Sequence, residues 1–278
     1  MSKKPRWKKS NSSLKQGTKE EQENSLQTKY DENSPVIQSF LKFQSQLDAK
    51  YDKRERLIKL SRDITIFSKR LIFQLHRFPQ GVEFEEIAGE LEPKLQEIKD
   101  LLEKTAKELD GEDPYLFVRA YTGGVQEFIE AVTFMHYIGE NRLLGYDELC
   151  LNYFTFSRDG SDAKLALLLR PMDYILGIAD LTGELMRMCI NYMGAGHHEK
   201  SNEICVFLRK VHNECLLLSG KDFRDFNQKM KVLGQSLRKV ENACYTVHLR
   251  AKEIPKNMLV DLLKMKDPVN EELMNACA

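Results

Sequence analysis

From Pro35 to Phe78 the chain contains no glycine and, after Pro35, no proline. Ser34 can cap a helix and Pro35 suits its first position, so the stretch reads as one helix of about 45 residues that Pro79 stops. Val36, Phe43, Leu57, Ile64, Leu71 and Phe78 repeat every seven residues, with Phe40, Leu47 and Leu75 on a companion row. Lys50, Arg54, Ser61 and Ser68 interrupt this seam. A helix this long cannot bury an apolar row against itself, so it must pack on other helices or on another subunit, and an assembly is expected.

Helical periodicity continues over 83–109, where Ile87, Leu91, Leu95, Ile98, Leu102 and Leu109 recur at threes, fours and sevens, with Pro93 placed to kink the run and Asp110-Gly111 to end it. A bulky, mostly apolar helix follows from Asp113-Pro114 to about Ile138. Another runs from Pro171 to Asn191 and closes at Gly194. Between them, a short helix around Tyr146 to Tyr153 precedes FTFSRDGSDAKLALLLR, which reads as a connector or local hairpin. Further helices fit 198–218 and 221–250, and a last amphipathic piece fits Met258 to Lys266. With only 15 glycines and 8 prolines, a many-turned sandwich or barrel is disfavoured. The expected fold class is all-α: a single helical-bundle domain of about seven helices over 34–270, between a disordered basic tail, 1–33, and a flexible end, 271–278.

Charge narrows the function classes. Lys plus Arg and Asp plus Glu each number 42, which excludes a uniformly basic nucleic-acid coat. Residues 1–19 nevertheless hold seven Lys or Arg and no acid. The cluster from Lys3 to Lys9 suits a nuclear import signal, an electrostatic hold on nucleic acid, or a solubilising terminus. No run of 18 apolar residues predicts a membrane span. Six cysteines without CxxC spacing read as buried free thiols of a reducing cytosol or nucleus.

Two carboxylate pairs carry the chemistry. Glu127 and Glu130 stand one turn apart in VQEFIEAVTF, and Asp180 and Glu184 do so in ADLTGEL. Their helices are otherwise apolar, and like charges between apolar surfaces raise one another's pKa unless a cation neutralises them. If the helices face each other, the four acids could nest Mg²⁺ or Mn²⁺, hard ions that prefer carboxylate oxygen and can activate water against a phosphodiester. The alternative is a pair of ordinary solvated stripes, with Glu184 satisfied by Arg187. No histidine has a glutamate three residues before it, so a di-iron bundle site is disfavoured. On the first helix, Arg62, Lys69 and Arg70 share one broad side and are the candidates for RNA phosphates, although interleaved acids also fit a mixed solvated face. His76, His136 and His248 read as packed, hydrogen-bonded histidines.

The strings KLSRDITIFSKRLIFQLHR at 59–77, VQEFIEAVTF at 125–134, ADLTGELMRMCIN at 179–191 and KVENACYTVHLRAKEIPK at 239–256 resemble the translin family, in the same order over about 34–262. The resemblance implies an all-helical fold, assembly with translin into a closed hetero-octameric shell, and a Mg²⁺-dependent endoribonuclease with metal and catalytic carboxylates at Glu127, Glu130, Asp180 and Glu184. An intact Asp-Leu-Thr-Gly-Glu implies the catalytic partner, because translin departs from that pattern. The implied substrates are single-stranded RNA or nicked small RNA duplexes, including passenger strands in RNA silencing and transfer-RNA precursors, in cytoplasm and nucleus. The competing class is a non-catalytic helical partner that stabilises translin and regulates its RNA or DNA binding.

Overall fold

The computed structural model describes residues 34–78, 84–158, 161–218 and 224–250. These residues form seven helices and one hairpin: α1 (Pro35–Leu75), α2 (Phe84–Leu109), α3 (Pro114–Glu140), α4 (Tyr146–Tyr153), β1 (Thr155–Arg158), β2 (Ser161–Ala166), α5 (Pro171–Gly194), α6 (His198–Leu217) and α7 (Arg224–Arg250). The tail, the C-terminal end and the amphipathic piece at 258–266 lie outside the described residues.

Two units divide at Asp52 and Lys53, within α1. In the first unit the apolar row of α1 stays open: Val36, Phe40, Phe43 and Leu47 are all exposed, as is nearby Tyr51. In the second unit the row continues as Leu57, Ile64, Leu71 and Leu75, all buried, each contributing about 1.5–3 kcal/mol of hydrophobic stabilisation. Ser61 and Ser68 belong to this buried row, where the sequence pattern counts them as interruptions. Ser61 shows why a small residue serves there. Its hydroxyl accepts the Gly124 N–H at 2.9 Å, and a Cβ on Gly124 would lie 2.5 Å from the Ser61 carbonyl oxygen. A bulkier side chain at either position would hold α1 and α3 apart.

Asp113 caps α3 by accepting the Tyr115 N–H, with Pro114 at the first turn, and Asn141 ends the helix in the left-handed region. Helix α2 runs unbroken through Pro93, and its predicted row from Ile87 to Leu109 is buried. The hairpin pairs Thr155 with Ala166 and Phe156 with Leu165, and Leu165, Leu167 and Leu169 enter the core. Three tyrosine hydroxyls fasten loop carbonyls: Tyr121 to Leu168, Tyr146 to Leu169 and Tyr174 to Leu144.

The contact that positions the site is α3 against α5. Gly177 removes the side chain that would separate them, since a Cβ there would sit 2.7 Å from Ile129 Cγ2. Beside it Asp173 is buried, in contrast to a solvated stripe. Burial opposes its charge, but hydrogen bonds from Arg170, Thr122 and Gln126 outweigh that and hold its pKa below the usual carboxylate value.

Candidate active site

One turn beyond that close approach, α3 and α5 bring Glu127, Glu130, Asp180 and Glu184 to a single open cleft of about 690 Å³, which residues of α1 and α7 also line. The sequence pairs are thus joined into one cluster. Three of the four acids meet a protein cation or an imidazole. Lys69 Nζ stands 3.1 Å from Glu127 Oε1, Lys229 Nζ donates to Asp180 Oδ2 at 2.6 Å, and His76 Nε2 is 2.6 Å from Glu184 Oε2. Arg187 Nη2 adds a longer contact of 3.4 Å to Glu184. The solvated-stripe alternative is therefore half met at Glu184: Arg187 does reach it, but His76 holds it closer and inside the cleft.

Glu130 is the exception. It is 8% exposed, and among the described residues nothing forms an ion pair with it. Loss of hydration raises its pKa first, the charges of Asp180, Glu127 and Glu184 raise it further, and Lys229 only partly compensates, leaving it at about 8. Glu184 moves the opposite way, held below its ordinary value chiefly by the His76 hydrogen bond. Two acids on facing helices are thus driven apart in acidity, the pattern that separates a proton holder from a standing anion.

The second ring of contacts is ordered as well. Gln126 donates from Nε2 to Asp173 and accepts Lys229 Nζ on Oε1 at 3.1 Å, while Lys229 also donates to the Leu176 carbonyl. The chain Arg170, Asp173, Gln126, Lys229 therefore sets the cation that faces Asp180. The His76 ring lies 4.8 Å from that of Phe134, fixing its plane.

As ligands, the four carboxylates are all-oxygen donors with one uncompensated member, a set that suits Mg²⁺ or Mn²⁺ in hardness and in charge. Among the described residues no three His, Cys, Asp or Glu groups converge as a coordination shell. Lys69, His76 and Lys229 hold the outer acids instead, so loading an ion requires them to yield.

A second cleft of about 760 Å³ adjoins the first, lined by Lys69, Arg70, Phe73, Arg77, Glu90 and Lys94 among others. Lys69, Phe73 and Arg77 line both. Of the three basic residues expected to meet RNA, Lys69 borders both clefts, Arg70 borders the second, and Arg62 is exposed and borders neither. His136 is packed as expected, near Glu140 and the Tyr153 hydroxyl, whereas His248 is exposed because its position on α7 turns away from the core. His76 is hydrogen-bonded, but within the site. The sequence reading missed His76 and Lys229 as site residues. The seven-residue step from Lys69 to His76 was a usable signal for the first, while nothing local marks Lys229, which arrives from a helix about 50 residues past Asp180.

The architecture is that of a helical bundle with one small hairpin and an acidic, cation-ringed cleft where α3 meets α5. Residues 52–251 match the model of the translin family. The chain is 44% identical to translin-associated protein X of Mus musculus over 86% of this chain and 88% of that one. It is 34% identical to the translin-associated protein X homolog of Schizosaccharomyces pombe, over 77% and 88%. Among solved structures, apo-NeC3PO matches with a TM-score of 0.55 at 21% identity over 75% of this chain and 95% of that one. AfC3PO in complex with duplex RNA matches with a TM-score of 0.55 at 18% identity, over 78% and 100%. The chain belongs to the translin family.

Proposed function

We propose that this chain is the catalytic subunit of a translin-containing, Mg²⁺-dependent endoribonuclease that cuts single-stranded RNA or nicked small RNA duplexes, such as passenger strands in RNA silencing and transfer-RNA precursors, in cytoplasm and nucleus. The observation that carries this reading is Glu130, buried and unpaired among three further carboxylates at the meeting of α3 and α5. Holding this carboxyl protonated at neutral pH, where the unfolded chain ionises it, costs the fold a few kcal/mol, a large share of a domain's margin, and stability alone gives no reason to keep it. The names of the relatives support translin as partner, and the RNA complex of AfC3PO, a protein of like fold, supports RNA as ligand.

In this reading Glu127, Glu130, Asp180 and Glu184 hold the metal. When bound, the ion lowers the pKa of a coordinated water and stabilises charge on the phosphoryl oxygens. The chain's own groups do the rest. Glu130 keeps a proton near neutral pH until positive charge enters the cleft. Glu184, kept ionised by His76, stands ready to accept a hydrogen bond from the attacking water. Lys69, Arg77 and Arg187 rim the cleft and attract phosphates, while exposed Phe73 offers a face on which a base can stack. Lys229, fixed by Gln126 and the Leu176 carbonyl, positions Asp180.

Cleavage of labelled single-stranded RNA by the chain co-purified with translin tests this, with Mg²⁺ or EDTA and beside Asp180→Ala and Glu127→Ala. Mg²⁺-dependent cutting that falls at least about 100-fold in assembled variants is expected. Equal cutting by variant and parent would remove these acids from the reaction. Bound but uncut RNA with the parent complex would favour the non-catalytic partner.

A further inference from the structure

Away from the acid cleft, three cysteines from three helices meet: Cys189 of α5, Cys205 of α6 and Cys244 of α7. Cys189 and Cys205 both lie near enough to Cys244 to influence its ionisation. Cys189 Sγ and Cys244 Sγ also converge on one acceptor, the Ser201 carbonyl, at 3.4 and 3.9 Å. Cys189 and Cys205 are buried, whereas Cys244 is half-buried. Cys150 and Cys215 stand outside this trio.

We infer that this trio is an oxidation site, at which Cys244 is oxidised by a peroxide and Cys189 resolves the product as a Cys189–Cys244 disulfide. The Cys244 thiolate sulfur attacks one peroxide oxygen, the O–O bond breaks, and the departing hydroxide takes a proton to become water. Cys244 is now a sulfenic acid. The Cys189 sulfur attacks it, forming the S–S bond and expelling a second water, so that one peroxide is reduced and two thiols are oxidised.

Division of labour within the trio follows from its surroundings. The Cys189 hydrogen bond, joined by those of Cys205 and by the Arg209 charge, overcomes burial and draws the Cys244 thiol below its ordinary pKa. The hydrogen bond to Cys244, together with burial, drives Cys189 the other way. The half-buried member is thus the better thiolate, and the buried member is its protonated neighbour. Oxidation has a structural consequence too. The disulfide would staple α5 to α7, the helices that carry Asp180 with Glu184 and Lys229, and Cys189 lies only five residues beyond Glu184.

The test is peptide mapping of the reduced full-length chain after graded hydrogen peroxide and rapid alkylation. The expected result is a dithiothreitol-reversible link between Cys189 and Cys244, with Cys244 losing its free thiol at least about ten-fold faster than Cys150 or Cys215. In Cys189→Ser the link is replaced by a dimedone-reactive sulfenic acid at Cys244, and in Cys244→Ser the link is absent. The order of oxidation in the parent chain decides the matter even where a variant fails to fold. Earlier oxidation of Cys150, Cys215 or Cys277, or a link from Cys244 to Cys205 instead, would overturn the assignment.

Discussion

Replacing Glu130 by glutamine keeps the shape of the side chain and removes its titration, so it isolates what the acid cluster costs the fold. In the unfolded chain this carboxyl ionises near 4.5; in the folded chain it does so near 8. Between those values the folded state holds a proton that the unfolded state has lost, so stability falls as pH rises. At about 1.4 kcal/mol per unit, the loss reaches about 5 kcal/mol, with full stability below the unfolded value and none of this contribution left above the folded one. Glu130→Gln should escape that loss. Urea unfolding in EDTA at about pH 5 and about pH 8.5 should show the variant gaining about 3–5 kcal/mol on the parent across the interval. The comparison cancels the titrating groups remote from the cluster, which both proteins share. Parallel pH dependence in the two proteins would refute the reasoning, because Glu130 would then ionise normally within the cluster.

Other consequences follow from the same contacts. His76→Ala removes the hydrogen bond that keeps Glu184 ionised, and it should cost about 1–3 kcal/mol near neutral pH. Because the depressed Glu184 pKa stabilises the fold above its unfolded value and loses that effect as pH falls through the folded value, the acid-unfolding midpoint, followed by circular dichroism, should move upward. Gly177→Ala drives a Cβ to within 2.7 Å of Ile129 and should destabilise by about 1–3 kcal/mol in thermal unfolding, through separation of α3 and α5. Ser68 buries a hydroxyl that has no hydrogen-bond partner among the described residues, so Ser68→Ala should leave stability unchanged or raise it by up to about 1 kcal/mol.

Much of this molecule was legible before its structure, for identifiable reasons. Helix boundaries near Pro35, Pro114, Pro171 and Gly194 are written in residues whose backbone preferences are local, and the acid pairs follow from helical spacing alone. Facing of the two pairs was not legible, because it depends on Gly177 meeting Ile129 across two helices. The role of Ser61 was misread for a related reason: polarity argued for an interruption, while the small volume that admits α3 only matters once the partner helix is known. Lys229 was invisible, since a lysine on an amphipathic helix has the same local signature whether it faces solvent or Asp180. In contrast, the need of the long apolar seam for partners beyond its own helix was legible, and its members Val36, Phe40, Phe43 and Leu47 are exposed in this chain.

Whether Glu127, Glu130, Asp180 and Glu184 together hold a hard divalent cation is open to titration with Mn²⁺, followed by electron paramagnetic resonance, on the complex with translin. The four-carboxylate site predicts saturable Mn²⁺ binding that Mg²⁺ displaces and that drops at least about ten-fold in affinity in Glu127→Gln and in Asp180→Asn, with assembly intact. Proton release on binding near neutral pH, absent in Glu130→Gln, should accompany it. Equal Mn²⁺ affinity in the parent and in both variants would contradict the assignment and leave the acids as partners of Lys69, His76 and Lys229 alone.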